Sequence, residues 1–271
     1  MNKYTPEGSA KNALERVVFI VQFAKDFTVE DFARLDDKTN GWREVLPRRS
    51  QGNAVLLQPG SSRVSFDEEK VISLSFEALK RDGSIELGLR FEESRILFIV
   101  GNYTHWEEIW PQVSEHLGKA ISLIPEENEI VSFASEYADL FRAKGEYEEF
   151  EADKILRRGS KYIPDHIFDR KENFHFHTGF FNTHSDPADY RILTRINADL
   201  RDNENEKSRD LSIILFHQVM PINKPSEEEI KLPKEIVYRG LKNFSFLHDV
   251  DKEVLREIVN DQMANDIGLM Q

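Results

Sequence analysis

Apolar and polar residues alternate along several short runs of this chain, and that period of two marks antiparallel strands with one wet face. Ile85, Leu87, Leu89 and Phe91 alternate with Glu86, Gly88 and Arg90, and Ile72, Leu74 and Phe76 with Ser73 and Ser75. Asp82-Gly83 between these runs predicts a hairpin. Phe174, Phe176, Thr178 and Phe180 alternate with His175, His177 and Gly179, and Ile192, Thr194, Ile196 and Ala198 with Arg195, Asn197 and Asp199. Val17–Phe23, Ile96–Val100, Ile130–Phe133 and Leu211–Val219 are apolar runs of buried-strand size. Tyr137–Phe141 suits a strand or a short helix. Pro47 to Ser65 carries Pro-Gly and Gly-Ser punctuation and reads as a loop or short hairpin, and Asp202 to Arg209 as a polar hairpin loop.

Helical spacing marks two other places. Trp106, Trp110, Val113 and Leu117 form one apolar face behind a capping box of Thr104 and Glu107, with Pro111 predicting a kink or boundary. Val250, Val254, Leu255, Ile258, Val259 and Met263 form the stripe of a last helix that Asp249 or Asp251 would cap. Thr28 and Asp31 suggest a further helix start. The order of elements predicts an α+β fold of two pseudo-repeated halves, residues 1–125 and 126–271, packed as one globular unit. Each half would be an antiparallel sheet against a long amphipathic helix, and the two sheets could run on as one continuous curved sheet.

Composition narrows the function. The 271 residues are 39% hydrophobic and 31% charged, and 19 Phe supply a core. The net charge of −13 disfavours binding to free nucleic acid, whose phosphates would repel it. Lys154, Arg157, Arg158 and Lys161 make the most basic patch, and the acidic run before them suits a solvated face. The absence of cysteine excludes disulfides, thiolate metal sites and cysteine nucleophiles. No apolar stretch reaches bilayer length, and Met1 to Asn12 lacks a signal-peptide core, so the expectation is a cytoplasmic protein without membrane insertion.

No catalytic signature stands out. His175-Phe176-His177 places two imidazoles on one strand face, with His184 and Asp186 following. Zinc or another divalent ion could take such ligands. Pterin-synthesising enzymes of the tunnelling fold use a similar His-x-His strand, but the cysteine nucleophile expected there is absent. The plainer reading is a pair of histidines on a wet sheet face. His105-Trp106-Glu107-Glu108 lacks a second zinc-ligand histidine. His248, Asp249 and Asp251 read as a helix N-terminus. Arg48 to Asn53 lacks the spacing of a phosphate loop. Tyr147 and Phe150, set among acids, suit either a basic partner or a core.

Three stretches together resemble a known family. Glu15–Phe23 is similar to its opening strand, Tyr103–Ile109 to its central Trp-Glu-Glu motif, and Leu247-His248-Asp249 with Asn260–Met263 to its C-terminal signature. These are the sporadically distributed bacterial proteins of unknown function. Ile130–Tyr137 departs from the Gly-Leu-Arg-Tyr-type strand found there. The resemblance carries no catalytic residues. It implies accessory work, with antiphage defence the natural guess. The reading that follows is a non-enzymatic sensor or adaptor that binds a protein or ligand partner, with a protein encoded nearby as one candidate. His175, His177, Arg195, Asn197, Tyr147 and Phe150 are its candidate contacts, and a homo-oligomer is compatible with it. The rival reading is a metal-dependent enzyme or small-ligand-binding protein using the His175/His177 strand, with His184 and Asp186 as further ligands.

Overall fold

In the computed structural model, residues 3–8, 12–57, 64–184, 190–221 and 233–270 are described. The strands are β1 (Tyr4–Pro6), β2 (Leu14–Phe23), β3 (Arg48–Leu57), β4 (Val64–Leu79), β5 (Ile85–Glu92), β6 (Arg95–Val100), β7 (Ile130–Lys144), β8 (His175–His184), β9 (Tyr190–Asn203) and β10 (Ser208–Pro221). The helices are α1 (Val29–Leu35), α2 (Trp42–Val45), α3 (Trp106–Ser122), α4 (Pro233–Ile258) and α5 (Asp261–Asp266).

All ten strands join one antiparallel sheet in the order β3-β4-β5-β6-β2-β7-β10-β9-β8, with β1 added on β7. This corrects the predicted α+β fold. The protein is mostly one large sheet, with 43% of residues in strands and 30% in helices, and not two sheet-and-helix halves. The reason is the β2–β7 pair. Val17 to Gln22 lies opposite Tyr137 to Ser132 without a break, so the ladder crosses the boundary expected near residue 125. The helix-facing side chains of both strands are buried, Val17, Phe19 and Val21 on β2 and Phe133, Tyr137 and Phe141 on β7.

Local differences have local causes. Of the two readings of Pro47 to Ser65, a loop or a short hairpin, the hairpin is nearer: β3 pairs with β4 from Arg48↔Glu77 to Leu57↔Val64, with bulges at Gly52 and Asn53 that hide the alternation. Tyr137–Phe141 is strand, inside the 15-residue β7. The Asp82-Gly83 hairpin is present, and Gly83 supplies the left-handed turn with φ 86°. Thr28 caps α1 in a reciprocal box with Asp31. On α3 the cap is His105, without a side-chain bond, and Thr104 bonds Glu108 rather than the chain at Glu107. Pro111 lies inside α3 and does not end it.

The largest shift concerns α4. It is already helical at Pro233, so Asp249 and Asp251 stand in mid-helix and cap nothing. Phe244, Leu247, Val250, Val254, Leu255 and Ile258 carry its buried stripe back through the segment expected to join sheet to helix.

One sheet face bears the helices. Phe19 packs against Trp106, Trp110 and Phe244, with ring centroids 6.0, 5.9 and 5.3 Å away. Phe98 lies 5.5 Å from His116 of α3, which also approaches Trp42 of α2. The alternate side chains, such as Ile20, Leu97, Glu136, Ile214 and Asn197, project to the other face. Among the described residues no helix covers it. None of these helices is long and apolar enough to cross a membrane.

Candidate functional site

The helix-free face collects four of the residues singled out by sequence. In the β8–β9 ladder His175 is opposite Asp199, His177 opposite Asn197, and Gly179 opposite Arg195. Directly opposed residues share a face, so His175, His177, Arg195 and Asn197 form one patch. His175 Nδ1 is 4.0 Å from Asp199 Oδ2, which Arg201 also engages. The Arg195 guanidinium lies 4.1 Å over the Phe216 ring, which holds its charge at the sheet surface.

Beside this patch lies a shallow groove of about 510 Å³, lined by Asn197, Asp199, Arg201, Asn203, Asp210 and Ser212 among others. Arg142 grips Asp210 through two bonds of 2.8 and 3.0 Å and reaches Glu7 at 2.9 Å. That fork lowers the Asp210 pKa against the opposing effect of burial, and it raises that of Arg142. A second groove of about 470 Å³ lies on the same face at the far end of the sheet, lined by Arg48, Ser50, Ser73, Ser75, Glu77 and Arg90 among others. Glu77 is buried there between Arg90 at 2.8 Å and Arg48 at 3.9 Å.

Other predicted residues do not join this face. Phe150 is buried beside Tyr4, 6.1 Å between rings, and Arg209 stacks on Tyr147 and Phe150 at 5.5 and 5.8 Å. Phe150 belongs to the core, and Tyr147 is only half-buried beside it. Of the proposed metal set, His175 and His177 lie on the helix-free face, while Asp186 and the side chain of His184 lie outside what is described. Among the described residues no group of three or more His, Asp or Glu is placed to hold a metal ion. His184 ends β8, paired in the backbone with Tyr190. The basic residues are engaged locally: Lys154 with Glu151, Arg157 with Asp261, Arg158 with Asp169, and Lys161 over Tyr162.

A second polar constellation lies under α4, on the helix-bearing face. A row crosses the sheet there: Thr194 of β9, His217 of β10 and Ser135 of β7 stand directly opposite one another. Thr194 Oγ1 is 3.1 Å from His217 Nδ1, and His217 Nε2 is 3.3 Å from Asp251 Oδ1 on α4. Tyr137 and Asp139 continue the β7 face. Among the described residues, Asp139 Oδ2 and His248 Nδ1 are buried without a hydrogen-bond partner, and the buried hydroxyls of Ser135 and Tyr137 have only each other. His248 stacks on Trp106, 4.3 Å between centroids, and Trp106 on Trp110 at 4.7 Å.

Electrostatics follow from this burial. Desolvation, then the Asp251 charge, holds the Asp139 carboxyl well above the ordinary carboxylate range. Asp251 is raised by desolvation, against the pull of the His217 bond. Burial, then Asp251, pushes the Tyr137 phenol well up. The His248 imidazole is pushed down to about 4 by burial and then by Lys252.

Hydroxyl, imidazole and carboxylate in line are the parts of an acyl-transfer triad. Thr194 and His217 have no exposed surface, however, and neither groove touches them. As it stands the arrangement is a buried polar cross-link between sheet and helix. Sequence reading overlooked it. The signal was phase: Ser135, Tyr137 and Asp139 on β7, and His217 on β10, occupy the apolar parity of their strands between Phe133 and Phe141 and between Leu215 and Val219.

Compared with known proteins, the chain matches no family model and no curated protein.

Proposed function

We propose that this chain is a non-enzymatic binding protein, a sensor or adaptor, and that it receives a protein partner on the helix-free face of its sheet. One observation carries the reading. That face mixes half-buried apolar side chains, Ile20, Leu97, Leu193, Ile214 and Phe216, with polar ones between them, Arg16, Glu136 and Gln218, and carries two shallow grooves. Apolar and polar side chains mixed on one open surface suit a protein-binding interface. Both grooves are shallow, where a small-molecule site is concave and encloses most of its ligand. Arg195 stacked on Phe216 sets an arginine and an aromatic ring, two residue types that anchor interfaces, on the same surface.

The test is site-specific photocrosslinking in the native host. A photoreactive residue replaces Asn197 or Ser212 on the helix-free face, or Glu253, which is exposed on α4. Adducts of one defined mass from the first two positions, and none from the third, are the expected result. Adducts only from position 253, or none from 197 and 212, would reject the reading.

A further inference from the structure

The two outer strands of the sheet differ in charge. β3 begins with Arg48-Arg49. β8, His-Phe-His-Thr-Gly-Phe-Phe-Asn-Thr-His, has no Asp, Glu, Lys or Arg in its 10 residues. Every other strand of six or more residues carries at least one. In a chain with 31% charged residues this gap falls on an edge, where charges ordinarily block pairing with another chain.

β8 is also open. Among the described residues its only ladder partner is β9, so the outer backbone groups of the strand face away from the sheet. His175, His177, Gly179, Phe181, Asn182 and Thr183 are exposed. Phe181 is 55% exposed, although Arg191 covers one side of its ring at 4.6 Å. Tyr162 stacks on Phe180 at 5.1 Å and supports the strand from the helix-bearing face. No proline or side-chain charge interrupts the edge.

We propose that β8 is a self-association edge, on which a second copy of this chain adds its own β8 in antiparallel pairing and joins the two sheets. Charge on the strand itself permits this occupant. Each copy carries −13, so two copies repel wherever both present acidic surface. An uncharged strand is where they can meet without opposing like charges. A basic strand from another protein would find no counter-charge on β8. Antiparallel pairing of a strand with itself is two-fold symmetric and closes, as most soluble oligomers do. The seam would make the two helix-free faces continuous and set the His175, His177, Arg195 and Asn197 patches of both copies side by side. The inference does not depend on the binding role proposed above.

Sedimentation over a range of protein concentrations tests it. The full chain is expected to reach twice its mass, and its dissociation constant to fall several-fold as salt rises to about 0.5 M, because salt screens the repulsion between copies. Phe181→Lys together with Thr183→Lys should leave a folded monomer, while Ser50→Lys near the opposite edge leaves the dimer intact. A second reading does not depend on how well the lysine variant folds. The chain has no cysteine, so a spin label on His177→Cys is unique. Antiparallel β8 pairing requires the two labels to lie no more than about 33 Å apart, the length of the strand at about 3.3 Å per residue. A chain that stays monomeric at every concentration, a dimer that survives both lysines, or labels farther apart would overturn the proposal.

Discussion

The single sheet extends from the β2–β7 pair in two wings, one toward β3 and one toward β8. Follow the same transverse row outward from that pair. Toward β3 it reads Phe19, Phe98, Leu89 and Phe76, all but inaccessible. Toward β8 it reads Ser135, His217 and Thr194, equally buried, with Asp139, Asp251 and His248 close by. The first wing is held by transfer of apolar surface from water, worth about 1.5–3 kcal/mol for each large side chain. The second sets buried polar groups in the same place and, among the described residues, leaves Asp139 Oδ2 and His248 Nδ1 without partners. The two wings of one sheet are therefore held by different physics. The polar wing should be the weaker and more pH-dependent, and it also carries the His175, His177, Arg195 and Asn197 patch.

The largest expected effect is on the apolar row. Phe19→Ala should cost about 3–5 kcal/mol in denaturant unfolding, because the aromatic cluster cannot close over the void. A smaller loss would mean that α3 and α4 settle into the space. His217→Ala should cost about as much, for another reason: it leaves Asp251 buried without its partner. Replacing His217 and Asp251 together with leucine should recover most of that loss, whereas no second change near Phe19 should rescue the first. A double variant as unstable as His217→Ala would count against the contrast.

Next in size is the acid limb. The folded His248 holds its proton only below about 4, while the unfolded one takes it up near 6.5. The unfolded state therefore binds more protons in that window, and stability falls as pH drops through it, by about 3 kcal/mol in all. His248→Phe keeps the stack on Trp106 and should remove that slope from unfolding curves measured between pH 7 and pH 4. Asp139 runs the other way. Its raised pKa means the folded state keeps a proton that the unfolded state has lost, so its contribution declines as pH rises above the ordinary carboxylate range. Asp139→Asn should gain about 1–2 kcal/mol at neutral pH and nothing near pH 3. The smallest effect is expected at the exposed patch, where His177→Ala should change stability by less than about 0.5 kcal/mol.

Sequence pattern went furthest on the exposed face. Alternation in Phe174–Phe181 and Arg191–Leu200 set His175, His177, Arg195 and Asn197 on one side of paired strands, because a period of two fixes side-chain direction without knowledge of the partner. What it missed needed long-range information. The β2–β7 ladder joins residues more than a hundred positions apart, and nothing local announces it. The bulges at Gly52 and Asn53 broke the alternation of β3. Asp251 was mistaken for a cap because Asp-Val-Asp precedes an apolar stripe, and only the upstream turns, with Phe244 and Leu247 inward, show that the helix was already running. The buried row was visible only as polar residues in the apolar phase of β7 and β10, a signal that also fits an ordinary satisfied core histidine.

Hydrogen exchange at neutral pH, resolved by peptide, tests the contrast most directly. Sub-global opening should release the wing with the costlier interior first, and ligand-binding regions tend to be drawn from the less stable parts of a fold. Amides of β9, β10 and the second half of α4 should exchange faster than those of β2, β5 and β6, with Asp139→Asn narrowing the gap. Equal protection across the sheet, or earlier opening of the apolar wing, would contradict the claim that the two wings are held by different forces.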